Sequence, residues 1–190
     1  WTKAARDTLQ AWAEKAGIPV GASFRCQDYF DNRHPNYAGD VGIGINPKLA
    51  QRVKDADLLL VIGARLGEMT TSAYTLLDVP VPKQKLVHVH AGAEELGRVY
   101  QATLPINSNY EEFVLALSSL NLSSNWKERT KETHANYLEW NKTIPMPGAL
   151  HYGDIIAWLS QNLPEDAIVT NGAGNFASWR HRHFQYRGWQ

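Results

Sequence analysis

The sequence predicts an α/β fold: a doubly wound parallel sheet of Rossmann-like type, followed by a truncated second α/β domain. Three observations carry this. Segments with helical apolar spacing alternate with short apolar runs, the pattern of βα units. The runs LLLVI (58–62) and KLVHV (85–89) are nearly continuous, as strands covered on both faces are. Between residues 122 and 150 the composition turns polar and proline-containing, and a new helix–strand–glycine pattern then begins.

Taken in order, TKAARDTLQAWAEKAG is a helix: Ala5, Leu9, Trp12, Ala13 and Ala16 fall on one face, and Gly17 stops it. IPVGASF is a strand. Residues 25–44 are polar, aromatic and turn-rich, and read as one long loop of the kind that carries function. NPKLAQRVKDA is a helix capped by Asn46, with Pro47 in its first turn. LLLVIG is a fully buried strand and KLVHVH another. AEELGR is a short helix, TLPIN a short strand, and SNYEEFVLALSSL a helix in which Ser108 and Glu111 have capping-box spacing. A domain of this type normally opens on a strand, so the first strand is expected upstream.

The segment 123–150 reads as a linker carrying a helix anchored by Trp126, Tyr137 and Trp140. Beyond it come the helix DIIAWLSQNL, a stop at Pro164, the strand AIVT, the turn NGAGN and the helix FASWRHRHF. Five of the seven tryptophans, Trp189 besides Trp126, Trp140, Trp158 and Trp179, fall in this last third, which suggests large buried contacts there.

The 190 residues suit one domain or one and a fraction. Zero formal net charge and a pI near 7.2 give no electrostatic support for a nucleic-acid partner. No apolar run approaches the roughly 18 residues of a membrane span, and no signal peptide is evident, so a cytoplasmic protein is expected. The single cysteine, Cys26, excludes an intrachain disulfide and reads as a small buried hydrophobe.

Two turns are candidate ligand sites. GARLGE, Gly63 to Glu68, lies at the carboxyl end of a strand, where open α/β sheets bind ligands. Arg65 there suits a diphosphate, a contact worth about 1.5–3 kcal/mol, or else pairs with an acidic neighbour at the sheet edge. NGAGN, Asn171 to Asn175, offers free backbone N–H groups at a helix start, or is an ordinary βα turn whose glycines serve backbone geometry. His181 and His183 are two residues apart on a helix and do not share a face, which argues against a metal pair. No Ser-His-Asp or Cys-His arrangement can be placed.

GIPV at Gly17, HPNYAGDVG at His34, ADLLLVIGARLGE at Ala56, LVHVHAGAEELGR at Leu86 and DAIVTNGAGNFASW at Asp166 occur in a specific order. In that order they resemble the thiamine-diphosphate-dependent enzymes of the acetolactate synthase type. The resemblance implies a central domain over 1–122 with its first strand missing, a linker over 123–150, and the start of the diphosphate-binding domain over 151–190. The family's diphosphate-contacting turn matches Ala173, Gly174, Asn175 and Phe176. In flavin-containing members the segment matching Gly63, Ala64 and Arg65 touches FAD, together with acids at the positions of His90 and Gly92. The loss of those acids disfavours FAD and makes this layer structural or vestigial.

The resemblance further implies a parent that acts on a 2-keto acid as a decarboxylase or carboligase, with thiamine diphosphate and Mg2+, as a homo-oligomer. The family's N-terminal glutamate and its magnesium-binding GDG…N motif are not in these 190 residues, so no catalytic or metal residue is assigned and the fragment alone is expected to be inactive. The alternatives are a stand-alone FAD- or NAD-binding module and a structural spacer domain.

Overall fold

The computed structural model describes residues 1–122, 124–187 and 189. Five strands, β1 (Val20–Ser23), β2 (Tyr37–Val41), β3 (Leu58–Ile62), β4 (Lys85–His90) and β5 (Leu104–Asn107), pair in parallel throughout. They form two blocks, β1–β2 and β3–β4–β5, and not one continuous sheet.

Six helices, α1 (Lys3–Ala16), α2 (Pro47–Lys54), α3 (Tyr110–Ser118), α4 (Lys127–Asn141), α5 (Tyr152–Asn162) and α6 (Ala177–His183), complete the fold. Helix α1 follows its sequence pattern. The Thr2 hydroxyl accepts from the Ala5 N–H, all five apolar positions are buried, and Gly17 closes the helix at φ 65°. Its apolar face meets Val114 and Leu117 of α3, with Leu60 and Ile62 of β3 and Val20 of β1 packed against them. The opposite face of β3, Leu59 and Val61, packs on Leu66, Leu77, Leu86 and Tyr100. This alternation covers the larger block on both sides, the doubly wound arrangement.

Several local expectations are corrected. The 25–44 segment is not one loop: it contains β2, whose first residues are buried beside β1. The backbone is held by Asn36, whose Nδ2 donates to the carbonyls of Ala13 and Ile18. Strand β3 is only partly buried, with Leu58 53% exposed, because among the described strands it pairs on the β4 side alone. Leu86 and Val89 of central β4 are fully enclosed. AEELGR forms only a 3-10 turn over Ala93–Glu95. Helix α3 is capped by Asn109, whose Oδ1 accepts from the Glu112 N–H, while the Ser108 hydroxyl turns to the Asn109 carbonyl.

Helix α2 has the expected Asn46 cap, and the same side chain donates from Nδ2 to the Asn136 carbonyl of α4. The segment that carries α4 is therefore docked. Its helix α4 buries Thr130, Thr133 and Tyr137, and the Thr130 hydroxyl donates to the Gly17 carbonyl. Trp126 is exposed and is no anchor; Tyr137 is, edge-on to Tyr37 at 4.8 Å. Trp158 is also exposed, so the tryptophans of the last third do not all mark buried contacts. AIVT forms no strand, and Ile168 is 80% exposed, because none of the described strands lies alongside to supply a hydrogen-bond ladder. Cys26 is half-buried, and burial raises its thiol pKa, as suits an unreactive side chain. Among the described residues, no helix is long and apolar enough to cross a membrane.

Candidate functional site

The carboxyl ends of β3 and β4 gather the first set of candidate residues. The Gly63 N–H donates to the Val89 carbonyl at 2.8 Å and continues the parallel ladder one step past β3. Gly63 then turns the chain at φ 79°, a left-handed geometry that favours glycine. The Ala64 carbonyl accepts from His88 Nε2 at 2.8 Å, which fixes the neutral ring with its hydrogen on Nε2. Burial lowers the His88 pKa and keeps the ring neutral.

This edge is already filled by protein groups. A Cβ added at Gly63 would lie 2.9 Å from the Tyr110 ring and 3.2 Å from Trp1 Nε1. Trp1 and Tyr110 stack with ring centroids 5.6 Å apart, and His90 stands edge-on to Tyr110 at 6.3 Å. Arg65 takes the acidic-neighbour option: its Nε lies 3.9 Å from Oε1 of buried Glu95, which also receives Arg98 at 3.0 Å. The Arg65 side chain is otherwise exposed. His90 Nδ1 is engaged with the Gly92 backbone, and the Glu94 carboxylate lies where a Cβ of Gly92 would be.

The chain thus brings Gly63, Ala64, Arg65, His90 and Gly92 together, as the sequence implies. The acid that faces Arg65 is Glu95 from the following turn. The close approach that Gly63 permits is used by aromatic side chains, which stand where a nucleotide would have to approach. The sequence pattern could not show this, because Trp1 and Tyr110 are distant in the chain and meet only in the fold.

The second candidate, Ala173, Gly174, Asn175 and Phe176, forms an exposed turn into α6. Among the described residues, the N–H groups of Gly174, Asn175 and Phe176 donate to no main-chain carbonyl, so they remain available to an anion. The carbonyls of Gly174, Asn175 and Phe176 accept from Ala177, Ser178 and Trp179 in turn, which holds the turn in shape. Neither Gly172 nor Gly174 has positive φ, so this glycine pair does not serve left-handed geometry. Instead the Phe176 ring lies on Gly174: a Cβ there would meet it at 2.8 Å. Helix α6 has only seven residues, and its dipole adds little.

His181 and His183 diverge, as residues two apart on a helix do. His181 stacks on Phe24 at 5.0 Å and His183 on Trp179 at 5.7 Å. Among the described residues, no three His, Cys, Asp or Glu side chains converge as metal ligands.

Comparison with known families decides what this frame belongs to. Residues 1–117 match the model of the thiamine pyrophosphate enzyme central domain, well over half of the chain. The chain belongs to the thiamine pyrophosphate enzymes. Relatives extend the likeness past the central domain. The acetolactate synthase large subunit of Corynebacterium glutamicum is 26% identical over 182 residues, covering 92% of this chain and 29% of the relative. That of Parasynechococcus marenigrum is 24% identical over 192 residues, covering 97% and 30%. The sulfoacetaldehyde acetyltransferase of Castellaniella defragrans is 24% identical over 206 residues, covering 95% and 34%. The chain therefore spans about a third or less of the length of these thiamine pyrophosphate-family relatives.

Proposed function

We propose that this chain is the central and cofactor-anchoring part of a thiamine-diphosphate-dependent enzyme that decarboxylates a 2-keto acid and passes the resulting acyl unit to an acceptor. The observation that carries this reading is the continuous likeness to acetolactate synthase large subunits across the central domain, the α4 segment and the 173–176 turn. The likeness to a sulfoacetaldehyde acetyltransferase supports the same acyl-transfer class, with the acceptor open. The stand-alone dinucleotide-binding module is not favoured, since the Gly63 edge is filled by Trp1 and Tyr110.

Within this reading the domains follow the sequence: 1–122 as the central scaffold, 123–150 as a linker, and 151–190 as the opening of the diphosphate-binding unit. The unpaired N–H groups of Gly174, Asn175 and Phe176 fit a diphosphate, and Ala173 leads the chain into them. When bound, thiamine diphosphate supplies the carbanion and electron sink that a 2-keto acid decarboxylation needs. The chain's own part is to hold the diphosphate in place, with the Phe176 ring swinging off Gly174 to open the turn. Mg2+ as a second cofactor, a homo-oligomeric assembly and a cytoplasmic location belong to the same proposal for the full-length protein. Gly63, Ala64 and Arg65 serve as a structural edge.

The test is a titration of the chain with thiamine diphosphate and Mg2+, followed by tryptophan fluorescence, with thiamine as the control that lacks the diphosphate. Thiamine diphosphate is expected to bind and thiamine to bind far more weakly. Gly174→Val should raise the dissociation constant at least tenfold, because a branched side chain would stand between the N–H groups and the phosphate. Arg65→Ala should leave it within twofold. Equal binding to wild type and a folded Gly174→Val variant, verified by thermal melt, would remove this turn from the diphosphate site.

A further inference from the structure

A cavity of about 260 Å3 lies between β2, α4 and α6, apart from the Gly63 edge and adjoining the 173–176 turn through Ser178 and Trp179. Its walls include Tyr137 and Trp140 of α4, Ile144 just beyond it, and Trp179 of α6. Asp40 is one of the lining residues. Its carboxyl has no hydrogen-bond or ion-pair partner among the described residues, and its Oδ1 is buried.

A break in strand register puts Asp40 there. Val20 pairs with Tyr37 but Gly21 pairs with Gly39, so Ala38 is an extra residue on β2, and Gly39 takes φ 118°. In an uninterrupted strand Tyr37 and Asp40 would point to opposite faces. The bulge pairs Asp40 with Ala22, two residues beyond Val20, and so turns its side chain to the face that carries Tyr37 and the Phe30–Tyr137 aromatic cluster. An acidic side chain has been re-aimed into aromatic surroundings, where an unpaired carboxylate is costly.

The nearby cations form no ion pair with it, although Arg180 attracts it from a distance. Arg180 donates from Nη1 to Gln27 Oε1 at 2.9 Å, and its guanidinium lies over the Tyr186 ring at 4.9 Å. Arg182 donates from Nε to the Trp140 carbonyl at 2.7 Å and lies over the Trp140 ring at 4.0 Å. His181 stacks on Phe24, and burial with the two neighbouring arginines, Arg180 and Arg25, lowers its pKa to about 4, so it carries no charge near neutrality. The carboxyl is left as the unpaired acceptor of an aromatic-walled cavity. Such a combination selects a compact positive head on an apolar body.

We infer that this cavity binds a small organic ammonium, its charged head against the Asp40 carboxyl and its alkyl part against Tyr137, Trp140 and Ile144. The inference stands apart from the diphosphate turn and does not depend on it.

The probes are n-butylammonium, 1-butanol and butyrate, matched in chain length and differing in charge. Binding is read from the indole 15N–1H signals of Trp140 and Trp179 at pH 8. Saturable shifts are expected with n-butylammonium, at least tenfold weaker binding with 1-butanol, and none with butyrate. Asp40→Asn should weaken n-butylammonium at least tenfold while leaving the melting temperature unchanged or higher, because a neutral amide is cheaper to bury. The proposal is overturned if n-butylammonium does not saturate, or if 1-butanol or butyrate matches it. It is equally overturned if Asp40→Asn binds as wild type or unfolds the chain, since Asp40 would then be structural.

Discussion

Asp40 shows how one residue's environment becomes a property of the whole chain. Burial raises its pKa from 3.8 to about 7, with Arg180 opposing the rise. The sign follows from linkage: between these values the folded state holds a proton that the unfolded state has lost. Stability should therefore fall as pH rises from about 4 to about 7, then level off, with Asp40 contributing a loss of up to about 4 kcal/mol. Urea unfolding of wild type and Asp40→Asn across that range isolates this contribution. The wild type should lose stability relative to the variant as pH rises, and parallel curves would show that Asp40 titrates alike in the folded and unfolded states. Nothing in the string YAGDV announced this carboxyl. The bulge depends on register with β1, and register is a tertiary property. Arg65 was legible as a choice between a ligand and an acidic neighbour. Glu95 decided it, because a 3-10 turn, and not a helix, follows β4 and places Glu95 under the guanidinium.

Elements were legible where local chemistry alone fixes them. Helix α1 has a cap, an apolar stripe and a glycine stop within 16 residues, and α2 has Asn46 and Pro47 at its start. Helix α3 offered two caps one residue apart, and the sequence rule favoured Ser108 through its spacing to Glu111. The chain uses Asn109, whose extended φ of −72° and ψ of 161° aim Oδ1 at the Glu112 N–H at 2.9 Å. Asn109→Ala should cost about 0.5–2 kcal/mol in chemical denaturation, and Ser108→Ala well under that. The reverse order would return the cap to Ser108. Strand β2 was hidden inside a polar, turn-rich stretch because its residues Tyr37, Ala38 and Gly39 lack the β-branched signature that strand reading relies on. AIVT has that signature yet forms no strand, since propensity without a neighbouring strand does not make a ladder.

At the scale of the molecule, the order of motifs carried more information than any motif alone. The Gly63 edge and the Ala173–Phe176 turn are each ordinary βα turns by local pattern, and their placement within a thiamine pyrophosphate enzyme frame gives them distinct proposed roles. The stacked pair Trp1–Tyr110 occupies the close approach at Gly63, and Arg65 faces Glu95, so neither group is turned to a flavin. The full-length protein should accordingly purify without yellow colour, and a stoichiometric flavin absorbance after denaturation would show that Trp1 and Tyr110 move aside. The proposed acyl-transfer chemistry is tested most directly by carbon dioxide release from pyruvate with the full-length protein, stripped of cofactor and metal by chelation and dialysis. Release should be absent from the stripped protein and return when thiamine diphosphate and Mg2+ are added together. Release that is unchanged by stripping, or that fails to return with pyruvate or any other 2-keto acid tried, would contradict the assignment.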